Sequence, residues 1–333
     1  MRKSTKRTLV VTGVLATVAV GGASLDAQAG VRLASTKGSA AASAGTTSSP
    51  QATPTQSPGS GSDASLRVLT YNIKQGQIGR EAGKGCAGAM SQIAKVIKST
   101  DARVAALQEV DYGVDRSCDH VQTDELLARL GWSYACKGPA TPHQGGRMGN
   151  AVISAHPITS CQNRALPVPA DEEPRGAAVA TITTPGGQSV TVASTHLTVG
   201  DEHAALRGRQ ATSLALMLGS TNGPAIAAGD FNATASEKGT MSPLKKAGFT
   251  DSLPALGENR GTCGTAQIDH LFARGATPTS GSIISSATAS DHVPAFVDFQ
   301  LPTSSKTTSS SPTATSPTGA STTGSGGRAM NAR

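Results

Sequence analysis

Apolar and polar positions begin to alternate in an ordered way near Ala64. Residues 66–72 read as a strand, and Met90, Ile93, Val96 and Ile97 fall on one face of a helix over 90–99. Residues 104–110 form a second, largely apolar strand, and 124–130 form a short helix closed by Gly131. Strand-like runs follow at 132–136 and 150–154. Residues 177–183 and 189–194 then pair as a hairpin across Pro185-Gly186-Gly187. A long helix is expected over 202–218, with Leu206, Leu214, Met217 and Leu218 apolar, Asp201 placed to cap it and Gly219 just past its end. Strands at 225–228, 268–272 and 295–299 complete the run. Hairpins mixed with crossover helices predict two stacked sheets with helices outside.

The flanks are of another kind. Arg2, Lys3, Lys6 and Arg7 precede an uncharged stretch over 8–25, and Ala27-Gln28-Ala29 offers small residues where a signal peptidase cuts, so residues 1–29 read as a secretory signal and Gly30 as the mature start. An uncleaved anchor is the weaker reading, because the apolar part is short and broken by Gly13, Gly21 and Gly22. Residues 30–63 and 302–333 consist mostly of Ser, Thr, Ala, Gly and Pro, too few apolar side chains to offset ordering entropy; they are expected to be disordered linker and tail. One domain over 64–301 remains, with no internal repeat.

Charge changes this picture less than it first promises. The whole chain carries +7, but within 64–301 twenty Lys and Arg are matched by twenty Asp and Glu. A neutral domain gives no support to a high-affinity polynucleotide surface, although a local basic cleft stays open. One Trp, three Tyr and five Phe are too few for a base-stacking platform. Of five cysteines, local pairing would join Cys86 to Cys118 and Cys136 to Cys161, leaving Cys263 free or paired between chains. Their spacing does not fit a zinc cluster.

Acidic and histidine residues recur where apolar strands stop. Glu109 closes Leu107-Gln108-Glu109-Val110, and such a carboxylate suits a hard cation that prefers oxygen. His196 ends Ser194-Thr195-His196-Leu197. Asp230 and Asn232, two apart in Gly229-Asp230-Phe231-Asn232, can share one water and one phosphoryl oxygen, with Gly229 permitting close backbone approach. Ile268-Asp269-His270 and Ser290-Asp291-His292 each set a carboxylate beside an imidazole, the arrangement that fixes a tautomer and raises basicity.

Together with Tyr71-Asn72-Ile73 and Gly149-Asn150-Ala151-Val152-Ile153-Ser154, these segments resemble the signatures of the endonuclease/exonuclease/phosphatase superfamily, in the same order and across the whole domain. Glu173-Pro174-Arg175-Gly176-Ala177 resembles its bacterial metal-dependent hydrolases. The resemblance implies a DNase I-like four-layer α/β sandwich, two stacked and mainly antiparallel sheets flanked by helices, with the site at one end. It implies that Asn72, Glu109 and Asp291 hold Mg²⁺ (or Mn²⁺ or Ca²⁺), and that Asp230 and Asn232 meet the water and the scissile phosphate. His292, oriented by Asp269, would contact the phosphoryl group, and His196 would be the second histidine. Arg147, Arg175 and Asn150 are candidate substrate contacts, each with a structural alternative. His270 is expected to pack beside the site, and His120, His143, His156 and His203 to lie on the surface. The implied activity is hydrolysis of a phosphodiester by in-line attack of water, in a secreted monomer without a stable protein partner. Extracellular nucleic acid is the first substrate to consider. A phospholipid, an inositol phosphate, or a non-catalytic binding role are the alternatives.

Overall fold

In the computed structural model residues 64–302 are described; the expected signal at 1–29, the linker and the tail beyond residue 302 lie outside them. The strands are β1 (Ser65–Asn72), β2 (Val104–Tyr112), β3 (Tyr134–His143), β4 (Gly146–Ser154), β5 (Ile158–Ala165), β6 (Gly176–Thr183), β7 (Ser189–His196), β8 (Ala225–Asp230), β9 (Thr250–Asp251), β10 (Asp269–Arg274), β11 (Thr277–Ile283) and β12 (Ala295–Gln300). The helices are α1 (Gln77–Glu81), α2 (Gly85–Ser99), α3 (Gln122–Leu130), α4 (Ala204–Gly219), α5 (Lys238–Lys246) and α6 (Ser252–Ala255). Two six-stranded sheets form, in the orders β11-β12-β1-β2-β4-β3 and β5-β6-β7-β8-β10-β9. Among the described residues only β1 with β2 and β7 with β8 run parallel, each joined by a crossover containing a long helix.

Three apolar clusters correspond to the three interfaces of four layers. Val68, Val104, Ala106, Val152, Val192, Ile226 and Val297 pack between the sheets. Leu69, Leu107 and Ile153 turn the other way, onto Ile93 and Ile97 of α2. Ala193, Ala227 and Phe272 meet Leu214 and Leu218 of α4. The period of two along each central strand thus fills two cores at once. The disulfide Cys136–Cys161 joins β3 to β5, the edge strands of opposite sheets, and Cys86–Cys118 ties the start of α2 to the chain after β2; Cys263 is free.

Several local expectations are corrected. The helix at 90–99 begins at Gly85. Trp132 lies before β3, half-buried against the α2–α3 side of its sheet. Asp201 does not cap α4: Asp201–His203 form a separate 3-10 turn, His203 is the N-cap residue, and no side chain bonds there. The approach to α4 is fixed from its buried face instead. Arg207 donates to the Thr198 and Gly200 carbonyls, and Gln210 Oε1 accepts from Thr198 N–H. β5, mostly exposed, β11, mostly polar, and α5, which contains Gly239 and Pro243, had no apolar signature to announce them.

Candidate active site

The C-terminal ends of β1, β2, β7 and β8 and the beginning of β10 converge at one end of the sandwich. Glycine makes one of these approaches possible. A Cβ on Gly229 would stand 2.0 Å from the Thr195 carbonyl oxygen, so any side chain would push β7 from β8. With glycine there, His196 lies opposite Asp230 in the parallel register. Across the antiparallel pair, Asp269 lies opposite Asp230.

Glu109 reaches the cleft through a bulge. Leu107 and Val110 both face α2, three positions apart, and the pairing of β2 with β4 shifts between them. The extra residue lets Gln108 and Glu109 both leave the helix side, at the cost of a left-handed φ of 54° at Glu109. Gln108 then donates to Ser194 Oγ of the other sheet (3.0 Å). Asn232 is likewise left-handed, φ 48°, and its Nδ2 donates to the Leu197 carbonyl (3.0 Å).

Asn72 joins the two halves. Its buried Nδ2 donates to Glu109 Oε1 (2.9 Å) from one sheet and to Asp230 Oδ2 (3.1 Å) from the other, while its Oδ1 accepts from Lys74 N–H (3.0 Å). Gln75 donates to the second oxygen of Glu109. Lys74 Nζ lies 2.6 Å from Asp291 Oδ2. Burial pushes the Glu109 carboxyl up, against the hydrogen bond from Asn72. Asp291 is exposed; partial burial raises its pKa, but Lys74 outweighs this and holds it below the ordinary value.

On the other wall, His292 Nδ1 lies 2.8 Å from Asp269 Oδ2, and its Nε2 3.6 Å from Asp230 Oδ2. Burial works to lower the His292 pKa, yet Asp269 and then Asp230 raise it to about 9. Asp230, almost wholly buried, is pushed up to about 7 by burial and by Asp269, against His292 and the Asn232 N–H that donates to its Oδ1 (2.9 Å). His196 behaves oppositely: burial, then Arg175, then His292 hold it well below the ordinary histidine value. Thr262 Oγ1 accepts from the N–H groups of Ile268 and Asp269 (3.1 and 3.0 Å), fixing the turn that presents the acid.

Two groups could hold a cation. Ligand atoms of Asp230, Asp269 and His292 lie within 4.8 Å of one another. In that set the imidazole already serves both carboxylates, with Nδ1 on Asp269 Oδ2 (2.8 Å) and Nε2 facing Asp230 Oδ2 (3.6 Å). Glu109 and Asp291 supply carboxylate oxygens, the donors that suit Mg²⁺, Mn²⁺ or Ca²⁺, and Asn72 Oδ1, which accepts from Lys74 N–H, keeps one lone pair for the same use. The Lys74 ammonium is bonded to Asp291 and also feels the field of Glu109.

A cleft of about 360 Å³ contains Glu109, Arg175, His196, Asp230, Asn232 and His292, with Met148, Val199, Cys263 and Ile268 around them. Asn150 lines a smaller recess beside it, and its Nδ2 donates to the Gly176 carbonyl (2.8 Å). Arg147 lines neither; it is exposed and donates to the Ala140 carbonyl (2.7 Å), while its neighbour Met148 faces the cleft. His270 is buried behind the site, with Nδ1 on Asp251 and Nε2 on the Ala233 carbonyl, both 2.9 Å. Of the four histidines expected at the surface, His120 is exposed, and His143, His156 and His203 are half-buried. His203 is held by Glu172 (2.9 Å) and the Val199 carbonyl (2.7 Å). Lys74, Gln75 and Thr262 were not among the expected site residues, and Glu173 was named only as part of a motif. Lys74 and Gln75 directly follow the Asn72 motif and Glu173 begins the Arg175 motif, so proximity was the available signal.

The model of the "Endonuclease/Exonuclease/phosphatase family" matches residues 69–292. The chain belongs to this family. Its members hydrolyse phosphoester bonds and are generally dependent on divalent metal, and the chain is accordingly a phosphoester hydrolase. It is 29% identical over 180 residues to the uncharacterized protein YbhP of Escherichia coli (strain K12), covering 50% of this chain and 67% of that protein. The fold is similar to an endonuclease/exonuclease/phosphatase from Beutenbergia cavernae DSM 12333 (TM-score 0.57, 22% identity, 72% of each chain). It is also similar to a mannosyl-6-phosphatase from Bacteroides thetaiotaomicron VPI-5482 (TM-score 0.57, 18% identity, 70% of this chain and 99% of that one). A humanized D. rerio TDP2 gives a TM-score of 0.55 at 17% identity, over 71% of this chain and 99% of that one.

Proposed function

We propose that the protein is a secreted, divalent-metal-dependent phosphodiesterase that acts by in-line attack of water, with extracellular nucleic acid as its substrate. The observation that carries the chemistry is a buried acid and a buried histidine side by side in one cleft, with His292 Nε2 3.6 Å from Asp230 Oδ2. Asp230 is a carboxylate with a pKa near neutrality, and His292 beside it stays protonated on Asp269. Asp230 takes the proton of the attacking water, and Asn232 at the same turn orients that water or a phosphoryl oxygen. His292 donates to the developing charge on the phosphoryl group, with Asp269 fixing its ring. Asn72, Glu109 and Asp291 would hold the cation, which when bound supplies Lewis-acid neutralisation of phosphoryl and leaving oxygens.

Secretion rests on the basic, apolar and small-residue pattern of residues 1–29. No helix among the described residues is long and apolar enough to cross a membrane. A second substrate reading, a small organic phosphoester of the phospholipid or inositol-phosphate class, is favoured by the cleft wall. Val199 there is 58% exposed, and the nearby cations Lys74 and Arg175 are already matched by Asp291 and Glu173. The test is a panel of plasmid DNA, RNA, bis-p-nitrophenyl phosphate, sphingomyelin and inositol phosphates, with Mg²⁺, Mn²⁺, Ca²⁺ or chelator. Metal-dependent cleavage of DNA or RNA above the others supports the nuclease. Preference for a lipid or inositol substrate replaces it with the second reading, and turnover that survives chelation defeats the mechanism.

A further inference from the structure

His196 is the histidine of the cleft whose inner nitrogen meets a cation. Arg175 NH1 stands 3.2 Å from His196 Nδ1, and both residues are buried. Arg175 is held in turn by Glu173, whose Oε2 accepts from NH2 (3.0 Å) and whose Oε1 accepts from Thr141 Oγ1 (3.0 Å). The hairpin brings the two residues near each other: Ala177 pairs with Thr195, and Arg175 lies just before β6 while His196 ends β7. A guanidinium has only donors. Nδ1 must therefore accept, and the ring hydrogen must sit on Nε2, which points at Asp230 Oδ2 3.5 Å away.

We propose that Arg175 is a positioning residue that locks His196 as a neutral imidazole with its hydrogen on Nε2, making His196 a permanent hydrogen-bond donor to the phosphoryl group and not a proton shuttle. The proposal deepens the phosphoesterase reading and rests on it. Protonation at Nδ1 would set imidazolium against guanidinium, and Nε2 already bears its hydrogen, so neither nitrogen can take a proton from water. The groups facing the ring agree: Arg175 at the start of the hairpin, His292 from the loop before β12, and Asp230 on β8, with Glu109 of β2 lining the same cleft. Of the two acids, Asp230 sits within reach of Nε2 and is left as the base. NH1 of Arg175 is directed at His196 and NH2 at Glu173, so the guanidinium is oriented by these two contacts and acts on the reaction through His196.

Long-range ¹H–¹⁵N spectra of the full chain labelled in its seven histidines read the tautomer directly, with His196→Gln assigning the resonance. Between about pH 5.5 and 8.5, across the ordinary histidine range, His196 is expected to show an unprotonated Nδ1 and an Nε2–H. Arg175→Met should abolish that pattern and Arg175→Gln, which keeps a donor, should retain it. On bis-p-nitrophenyl phosphate with Mg²⁺, Arg175→Met should lower kcat roughly 10- to 100-fold with KM changed less than about threefold, and Arg175→Gln should recover most of the loss. An Nδ1–H tautomer in the wild type, an ordinary His196 titration, or a rise in KM alone for Arg175→Met overturns the proposal. If Arg175→Met fails to fold, the wild-type spectrum and the Gln variant decide. Absence of all phosphoester turnover would sink the functional reading, while the spectra would still decide the tautomer.

Discussion

Replacing Asp269 by Asn removes one charge and almost no volume, and the structure says how much activity should go with it. His292 depends on this carboxylate: burial alone would lower its pKa, and Asp269, 2.8 Å from Nδ1, is the largest influence lifting it to about 9. The gap between about 9 and the ordinary 6.5 corresponds to roughly 3 kcal/mol of preference for the protonated ring. At pH 8 the wild-type imidazole is then about nine-tenths protonated, and a ring returned to 6.5 only about 3% protonated. Asp269→Asn should therefore lose roughly 30-fold in kcat at pH 8 and far less at pH 6. The assay is a kcat–pH profile on bis-p-nitrophenyl phosphate with Mg²⁺, checked by circular dichroism for an intact fold. The sign follows from the role: His292 donates only when protonated, so lowering its pKa moves the alkaline limb to lower pH. An alkaline limb that stays near pH 9 in a folded Asp269→Asn variant would refute the reasoning, because His292 would then not be the donor.

Other expectations follow from neighbouring features. Asp230 accepts a proton only when ionised, so the wild-type rate should rise through about pH 7, and Asp230→Asn should abolish that limb along with most turnover; a wild-type rate flat from pH 5 to 8 would contradict this. Glu109→Ala should cost about 100- to 1,000-fold in kcat and raise the Mg²⁺ concentration needed for half-maximal rate, and an unchanged metal titration would remove Glu109 from the metal. Thr262→Val strands two N–H groups and should destabilise the fold by about 2–4 kcal/mol, read by urea titration; a loss under about 1 kcal/mol would mean the turn is held otherwise. Cys136→Ser with Cys161→Ser opens a 25-residue link and should cost about 3.5 kcal/mol by loop entropy, with thiol titration of the wild type finding Cys263 alone reactive.

Much of the site was readable because its residues end apolar strands. Asp230, Asp269 and His196 close or open β8, β10 and β7, where an acid or imidazole interrupts an otherwise buried run. Central strands and α2 were legible for the same reason, since each must bury a face. Edge strands carry no such obligation, which is why β5, with seven of its eight residues exposed, escaped notice. The position of Arg147 was legible and its direction was not: strand alternation turns Met148 to the cleft and Arg147 to solvent. Lys74 and Gln75 follow no periodicity at all. Both sit at left-handed backbone positions after β1, and their reach to Asp291 and Glu109 depends on that turn.

Asn72 has one further consequence. Because its single amide nitrogen serves a carboxylate from each sheet, neither sheet alone contains a working centre. Recovery of turnover during refolding therefore times the closing of the sandwich, and should trail the return of strand and helix signals in far-ultraviolet dichroism. A chain caught with its sheets formed but apart is chemically silent, so cleavage activity doubles as a clock for the last step of assembly.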